Sequence, residues 1–316
     1  MVRERSRVQI SAAAPSVLIR TRRGGRAAEG ARLESVYTLI AYRGFESLSL
    51  RHLFVRLQIS TRIGQLITLW PAIEYKKKAK KRNFITKMGW MVTQKILIAV
   101  AHSDDETISM AGTIRKHIVN GDTVQVVSMT NGVGARDDSN EKMASERVAA
   151  AAKASEILGF KWEKCFDFND NALDSYPLLE IVKALEAIKN TYNPSLVYTH
   201  SGSDLNIDHR VVTNAVLTAF RPQPQESCKE IRLFEVPSAT DFGHRSVTGA
   251  FIPNLYVNIT DYWETKLRAL GAYSAELRKY PHSRSIKGIE NLARLRGSQV
   301  GFELAESFEV IRRIID

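Results

Sequence analysis

Short aliphatic, β-branched runs alternate with stretches of helical periodicity from residue 95 onward. This rhythm predicts βαβ units, in which a parallel sheet carries helices on both faces. We therefore expect an α/β fold with a mainly parallel sheet. The predicted strands are 95–101, 123–130, 164–168, 195–200, 231–236 and 255–260, and the predicted helices are 106–120, 139–158, 177–192 and 209–219.

Two further features complete the predicted elements. Gly121 and Gly159 follow helical stretches, and we expect them to end those helices in the left-handed conformation that glycine tolerates. The stretches 261–277 and 286–308 predict two helices and a turn that pack back on the core.

Polar clusters follow two of the predicted strands at the point where each strand ends. The cluster "HSDDE" at 102–106 follows the first strand, and "THSGSDLNIDHR" at 199–210 overlaps the end of the strand "SLVYTH". The carboxyl ends of parallel strands meet at one edge of an open sheet, where ligands bind. The sequence therefore predicts a functional site built from both clusters.

The residue types in these clusters favour a hydrolytic metal site. Such a site needs about three histidine or carboxylate ligands and an open position for water. His102 and Asp105 can face one ion across a turn, and His209 can supply the third ligand. Asp104 is expected to point away from Asp105 and to act as the general base. Zinc is the expected metal, and ferrous iron is the alternative for two histidines and a carboxylate.

The same residues also have a structural interpretation, in which they stabilise the fold rather than bind a metal. Acids at the start of a helix stabilise its positive end by about 0.3–1 kcal/mol each. For Glu106 alone this role is favoured over chemistry, and His209 taken alone would be a structural histidine. A histidine with three acids, matched by a second acid and histidine loop, favours the metal site.

The motif "AHSDDE" resembles the AHPDDE signature of the PIG-L/LmbE family of zinc-dependent N-acetylglucosamine deacetylases. The motif "NIDHR" resembles the second family motif, commonly HPDH, and the similarity runs from about Lys95 to the C-terminus. The resemblance implies a Rossmann-like three-layer α/β sandwich. It also implies that His102, Asp105 and His209 bind zinc and that Asp104 is the general base.

Two positions depart from the family pattern. Ser103 replaces the usual proline, and Asn206 stands where many members have a histidine that stabilises the oxyanion or protonates the leaving amine. Asn206 can donate a hydrogen bond to an oxyanion but cannot deliver a proton. Either Asp104 makes both proton transfers or another histidine stands in. The candidates are His200, His244 and His282.

Several neighbouring residues have expected roles that are less direct. Asp208 is expected to orient a loop partner at the catalytic site rather than to bind the metal. Arg136 and Arg147 could reach sugar hydroxyls or a substrate phosphate, although a solvated charge is the default for Arg147 on its helix. The aromatic residues of "DYWETK" are expected in the core.

The positive charge of the chain is concentrated in its first 90 residues. These carry 19 Lys and Arg against 5 Asp and Glu, whereas residues 91–316 carry 26 against 29. We expect 1–90 to be a basic extension, either disordered or the product of a start assigned too far upstream, and 91–316 to be the deacetylase domain. The stretches "RVQIS" and "GFESLSLR" match translated transfer-RNA gene blocks, which places the expected natural start at Met88 or Met91.

The cysteine content and the apolar runs of the chain bear on its cellular compartment and on membrane insertion. Two cysteines without CxxC spacing indicate neither a disulfide framework nor a cysteine zinc site, which favours a reducing cytoplasm. No apolar run reaches the roughly 18 residues of a membrane span. The expected partner is an N-acetylated amino-sugar substrate, with possible assembly into a homo-oligomer and no nucleic acid bound by the folded domain. The alternative function is a metal- and sugar-binding protein whose catalysis is weak or lost.

Overall fold

A computed structural model of the chain describes residues 93–130, 132 and 141–315. The predicted basic extension, 1–90, and Arg136 lie outside the described residues. Seven strands form one sheet in the order β3-β2-β1-β4-β5-β7-β6. The strands are β1 (Lys95–Val100), β2 (Thr123–Thr130), β3 (Lys161–Phe168), β4 (Leu196–His200), β5 (Glu230–Phe234), β6 (Leu255–Asn258) and β7 (Ala305–Arg313). The helices are α1 (Asp105–Val119), α2 (Glu141–Leu158), α3 (Leu178–Tyr192), α4 (Ile207–Ala219), α5 (Arg245–Thr248), α6 (Trp263–Ala272) and α7 (Ile286–Ser298).

The predicted α/β fold is confirmed. Strands β3, β2, β1, β4 and β5 pair in parallel, and β7 pairs antiparallel with both β5 and β6. Gly121 and Gly159 follow α1 and α2 with φ values of 91° and 90°, as expected for helix-ending glycines. Trp263 of the "DYWETK" stretch is buried in the core, as predicted, whereas Tyr262 of the same stretch is half-buried.

Strand β1 is the middle one of the five parallel strands and is buried over almost its whole length. It pairs with β2 on one side and β4 on the other, with Ile96 aligned to Val124 and to Leu196. The chain order of the parallel strands reverses between β1 and β4. The loops after these two strands therefore open onto the same crevice, which is where open α/β sheets bind ligands.

The core has two main layers, one on each face of the sheet. Leu97, Val127 and Val197 face a layer that includes Leu185 of α3 and Val216 of α4. On the other face, alternate strand residues pack against α1 and α6, represented by Ile96, Val126, Tyr198, Ile114 and Ala269. Burial on both faces explains why these strands are continuous aliphatic runs.

The prediction for the C-terminal stretch was wrong in one part. Residues 305–308, assigned to the second helix and its turn, begin strand β7. Phe234 of β5 and Leu255 of β6 both align with Phe308, so β7 fills the position between two strands. Its strand state comes from this tertiary pairing, which local periodicity does not contain.

A buried ion pair joins β7 to helices α1 and α6. Helix α1 departs from helical geometry at Met110 (φ −139°, ψ 24°). The carboxylate of Glu306 accepts hydrogen bonds from the backbone N–H groups of Gly112 and Thr113 at 3.0 and 2.7 Å, and from Nζ of Lys266 at 2.7 Å. Glu306 therefore satisfies the amides that the irregular turn leaves free.

We expect Glu306→Ala to lower the free energy of unfolding by about 3–5 kcal/mol, because it leaves a buried ammonium group and two buried amides unpaired. Urea denaturation followed by circular dichroism measures the loss. Glu163→Ala is the control, because its partner Lys161 is exposed and such pairs contribute about 0–1 kcal/mol. Equal losses in the two variants would contradict a stabilising role for the buried pair.

Candidate metal and active site

The loops that follow β1 and β4 bring the two polar clusters of the sequence together. His102 lies two residues after the end of β1, and Asp105 is the first residue of α1. His209 lies in the first turn of α4, directly beyond the loop after β4. All three side chains are buried against the crevice. The structure therefore brings together residues more than one hundred positions apart.

The three donor atoms form a nearly equilateral triangle. Oδ2 of Asp105 lies 3.2 Å from Nδ1 of His102 and 3.4 Å from Nε2 of His209, and the two nitrogens are 3.4 Å apart. A tetrahedral ion with bonds of about 2.0–2.1 Å requires its ligand atoms to be about 3.3–3.4 Å apart. The donor set and its spacing therefore fit a zinc-like divalent ion.

The second ring nitrogen of each histidine faces a carboxylate. Nδ1 of His209 lies 2.7 Å from Oδ2 of Asp204, whose other oxygen accepts a hydrogen bond from Thr240. Nε2 of His102 lies 3.0 Å from Asp170 and 3.3 Å from Asp208. Donation of N–H to these carboxylates leaves the opposite nitrogen with its lone pair toward the triangle.

The electrostatics of the triangle also suit a cation. Burial opposes the charged imidazolium, but the ion pairs with Asp105 and Asp204 outweigh it and raise the pKa of His209 to about 9. Burial likewise opposes the charge on His102, and contacts with Asp105, Asp170 and Asp208 raise its pKa well above the ordinary value. Without an ion, protons compensate the buried carboxylates, and a divalent cation can replace them.

Two other groups of histidine and carboxylate side chains lie close together but have competing partners. In the group of His200, Asp204 and His209, Nε2 of His200 accepts the backbone N–H of Ala101 at 2.8 Å. That nitrogen has no lone pair left for an ion.

The other group is His102, Asp170 and Asp208. Here the Asp208 oxygens accept the backbone N–H groups of Asn171 and Leu173 at 2.7 and 3.0 Å. Asp208 thus anchors the loop at 171–173 and contacts His102, which agrees with an orienting residue.

Asp104 points away from Asp105, as its expected role requires. Its Oδ1 pairs with Nη2 of Arg147 at 2.9 Å, whereas its Oδ2 is buried without a hydrogen-bond partner. Asp104 lines a cavity of about 190 Å³ that is also lined by His102, Asp105 and His209. One carboxylate oxygen therefore remains available beside the triangle.

Arg147 differs from the expected solvated charge. Its side chain is only 8% exposed, because it reaches from α2 to Asp104 and also to Oε1 of Glu276 at 2.9 Å. Its Nε donates to Oγ of Ser103 at 3.3 Å, a contact that the usual proline could not make. Helical periodicity does not show that this face of α2 meets the loop after β1, so the sequence missed the contact.

Asn206 and Glu106 form hydrogen bonds that were not predicted from the sequence. Asn206 lines the cavity and caps α4, its Oδ1 accepting the N–H of Asp208 at 2.8 Å, which leaves Nδ2 as its remaining donor. Glu106 accepts hydrogen bonds from Thr107 and Tyr273, and burial raises its pKa to about 8. Glu106 is the second residue of α1, and burial there opposes the negative charge by which it is expected to stabilise the helix start.

None of the three substitute histidines lines the cavity among the described residues. His200 is fully buried behind it and stacks on His209 with ring centroids 3.9 Å apart. His244 caps α5, and Nδ1 of His282 accepts the backbone N–H of Arg284. The cavity instead contains Arg284, Glu276 and Asp170, which no local motif had indicated.

The described part of the chain includes no helix that is long and apolar enough to cross a membrane.

Comparison with known proteins finds a family model that matches the segment holding this site. Residues 97–220 match the PIG-L family, described as GlcNAc-PI de-N-acetylase. A probable N-acetyl-alpha-D-glucosaminyl L-malate deacetylase 2 of Bacillus cereus is 26% identical over 188 residues, which cover 57% of this chain and 83% of that protein. The diacetylchitobiose deacetylase of Thermococcus kodakarensis is 26% identical over 196 residues, covering 58% and 70%.

The fold has solved relatives as well. The N,N'-diacetylchitobiose deacetylase of Pyrococcus horikoshii superposes with a TM-score of 0.57 at 23% identity, covering 70% of this chain and 85% of that one. At this identity the likeness concerns the fold. The matched segment contains both polar clusters and all three corners of the triangle, so the similarity to the PIG-L family covers the candidate site.

Proposed function

We propose that residues 91–316 form a metal-dependent hydrolase that removes the acetyl group from an N-acetylglucosaminyl substrate. The triangle of His102, Asp105 and His209 beside the free oxygen of Asp104 is the observation that carries this proposal. The relatives named as deacetylases of N-acetylated sugars support the same reaction class. Zinc is the proposed ion, with ferrous iron as the alternative.

The chemistry of amide hydrolysis assigns a task to each group. A bound divalent ion would acidify water and polarise the acetamide carbonyl. Asp104 accepts a proton from the water as its oxygen forms a bond to the acyl carbon. The C–N bond then breaks, its electron pair leaves with nitrogen, and Asp104 returns the proton to the amine. The immediate products are acetic acid and the free amine, and transfer of the acid proton to the amine gives acetate and the ammonium form of the amino sugar.

Asp104 makes both proton transfers in this scheme. The histidines that line the cavity among the described residues, His102 and His209, both direct a nitrogen at the triangle. Arg147 holds the other carboxylate oxygen of Asp104 and fixes its orientation. Asp208 keeps His102 in place, and Asn206 offers its amide group to the bound substrate.

A second candidate function is a metal- and sugar-binding protein with weak or lost catalysis. The observation in its favour is Asn206, which cannot deliver a proton where many relatives have a histidine. Release of acetate from a panel of N-acetylated amino sugars distinguishes the two. Catalytic turnover supports the hydrolase, whereas binding of the sugar without turnover supports the second function.

We expect the wild-type protein to hold about one divalent ion per chain and His209→Ala to hold far less, because the variant removes one corner of the triangle. Plasma emission analysis of protein purified without added metal gives both the amount and the identity of the ion. His244→Ala is the control, because His244 is exposed and does not line the cavity beside the triangle. Equal metal content in the two variants would contradict the proposed ligand set.

We expect Asp104→Asn to retain the metal and to lose about 10²–10⁴-fold in kcat, which is the usual contribution of a general base. Acetate release from an N-acetylated amino sugar measures the rate, and metal analysis establishes that the ion is still present. Asp261→Asn, at an exposed position in the segment before α6, controls for the loss of one acid. A fully active Asp104→Asn enzyme would rule out Asp104 as the base.

A further inference from the structure

Two side chains of opposite charge that line the cavity each have a buried atom without a hydrogen-bond partner. These atoms are Oδ2 of Asp104 and Nε of Arg284. The closest contact between the two side chains, from Nη1 of Arg284 to Oδ2 of Asp104, is 3.6 Å, which is too long for a hydrogen bond. Buried polar atoms are nearly always paired. Unpaired atoms beside a cavity therefore indicate where a ligand binds.

The two arginines that line the cavity differ in the number of ion pairs and hydrogen bonds that they form. Arg147 forms hydrogen-bonded ion pairs with Asp104 and Glu276 and a further hydrogen bond with Ser103. Arg284 has the contact with Asp104 at 3.6 Å as its single ion pair among the described residues, and its side chain is 20% exposed. Arg284 is therefore the cation in this cavity with the most capacity to bind an incoming anion.

We propose that Arg284 is a catalytic residue that binds the negative charge developing on the acyl group, first on the carbonyl oxygen and then on the acetate product. This inference rests on the proposed deacetylation. The acetamide is neutral before water attacks, so the charge appears only as the reaction proceeds. A donor aimed at such a charge accelerates the chemical step rather than substrate binding.

The position of Arg284 favours the acyl group over a more distant part of the substrate. Asp104 Oδ2 takes the proton from the attacking oxygen, and Arg284 lies 3.6 Å from that same atom. Once the new bond has formed, the attacking oxygen and the carbonyl oxygen are attached to one carbon. Both oxygens therefore lie near the guanidinium group, whereas a charge on an acceptor attached at C1 is separated from the acyl carbon by several bonds.

A single histidine could both stabilise the oxyanion and protonate the leaving amine. In this scheme different residues carry out the two tasks. Asn206 offers a neutral amide donor, and Arg284 adds a permanent positive charge for the oxyanion. The guanidinium group does not release a proton at neutral pH, so proton delivery to the amine stays with Asp104. No atom is transferred to or from Arg284 in this scheme.

The first test compares Arg284→Gln, Arg284→Lys and the matched control Arg278→Gln. Arg278 is exposed, and within the described residues its side chain donates to the backbone carbonyls of Ala275 and Leu277. With neutral N-acetylglucosamine, we expect Arg284→Gln to lower kcat about 10²–10³-fold and to leave KM nearly unchanged. Arg284→Lys should recover part of the rate, and Arg278→Gln should match the wild type.

The second test does not depend on turnover. Calorimetric titration of zinc-loaded protein with acetate should give a dissociation constant about tenfold higher in Arg284→Gln than in the wild type, because a charge-assisted hydrogen bond is lost. The zinc content of both proteins, measured in the same samples, should be equal. Arg278→Gln should bind acetate with wild-type affinity.

Wild-type kcat and wild-type acetate affinity in Arg284→Gln would overturn the inference and leave Arg284 as an ion-pair partner of Asp104. A rate loss confined to N-acetylglucosamine phosphate would also overturn it, because Arg284 would then recognise an anionic acceptor. If the wild type releases no acetate from any amino sugar, the proposed function fails. In that case acetate affinity still decides whether Arg284 binds a carboxylate.

Discussion

The parallel pairing of β1 with β4 is the contact on which the site depends. It places the ends of two strands side by side although they are about one hundred residues apart in the chain. The loop after β1 contributes His102 and Asp105, and the turn after β4 leads into α4 and His209. A shift of one residue in this register would turn alternate side chains of the buried strand to the opposite face. The aliphatic core on both faces of the sheet opposes such a shift.

The site itself is stabilised by pairing of buried charges. Each imidazole contacts a carboxylate on either side, and Asp104 has Arg147 on one oxygen. Buried charges are costly unless they are paired. These contacts therefore hold the side chains in one arrangement before any substrate binds. Preorganisation of this kind reduces the reorganisation that catalysis would otherwise require.

Some buried polar atoms of the site have no hydrogen-bond partner within the described residues. One oxygen of Asp104 and the Nε group of Arg284 have no hydrogen-bond partner, and the same holds for one oxygen of Glu106 and Nδ1 of His200. Of these four side chains, Asp104 and Arg284 line the cavity, close to where the acetamide would react in the proposed scheme. Arg147 and Arg284 carry the same charge in the same cavity. They differ in that Arg147 forms two close ion pairs, whereas Arg284 has one longer contact.

The sequence by itself determined the α/β rhythm, most element boundaries and the location of the two polar clusters. These are local properties, since burial of a strand on both faces makes it continuously apolar and a helix repeats every 3.6 residues. Only the tertiary structure decided that 305–313 forms strand β7, that Arg147 is buried against Asp104, and that Arg284 enters the cavity. These three outcomes depend on which distant segments pack together. Strand pairing and contact across a cavity do not alter the hydrophobic periodicity of the segment involved, so its sequence does not reveal them.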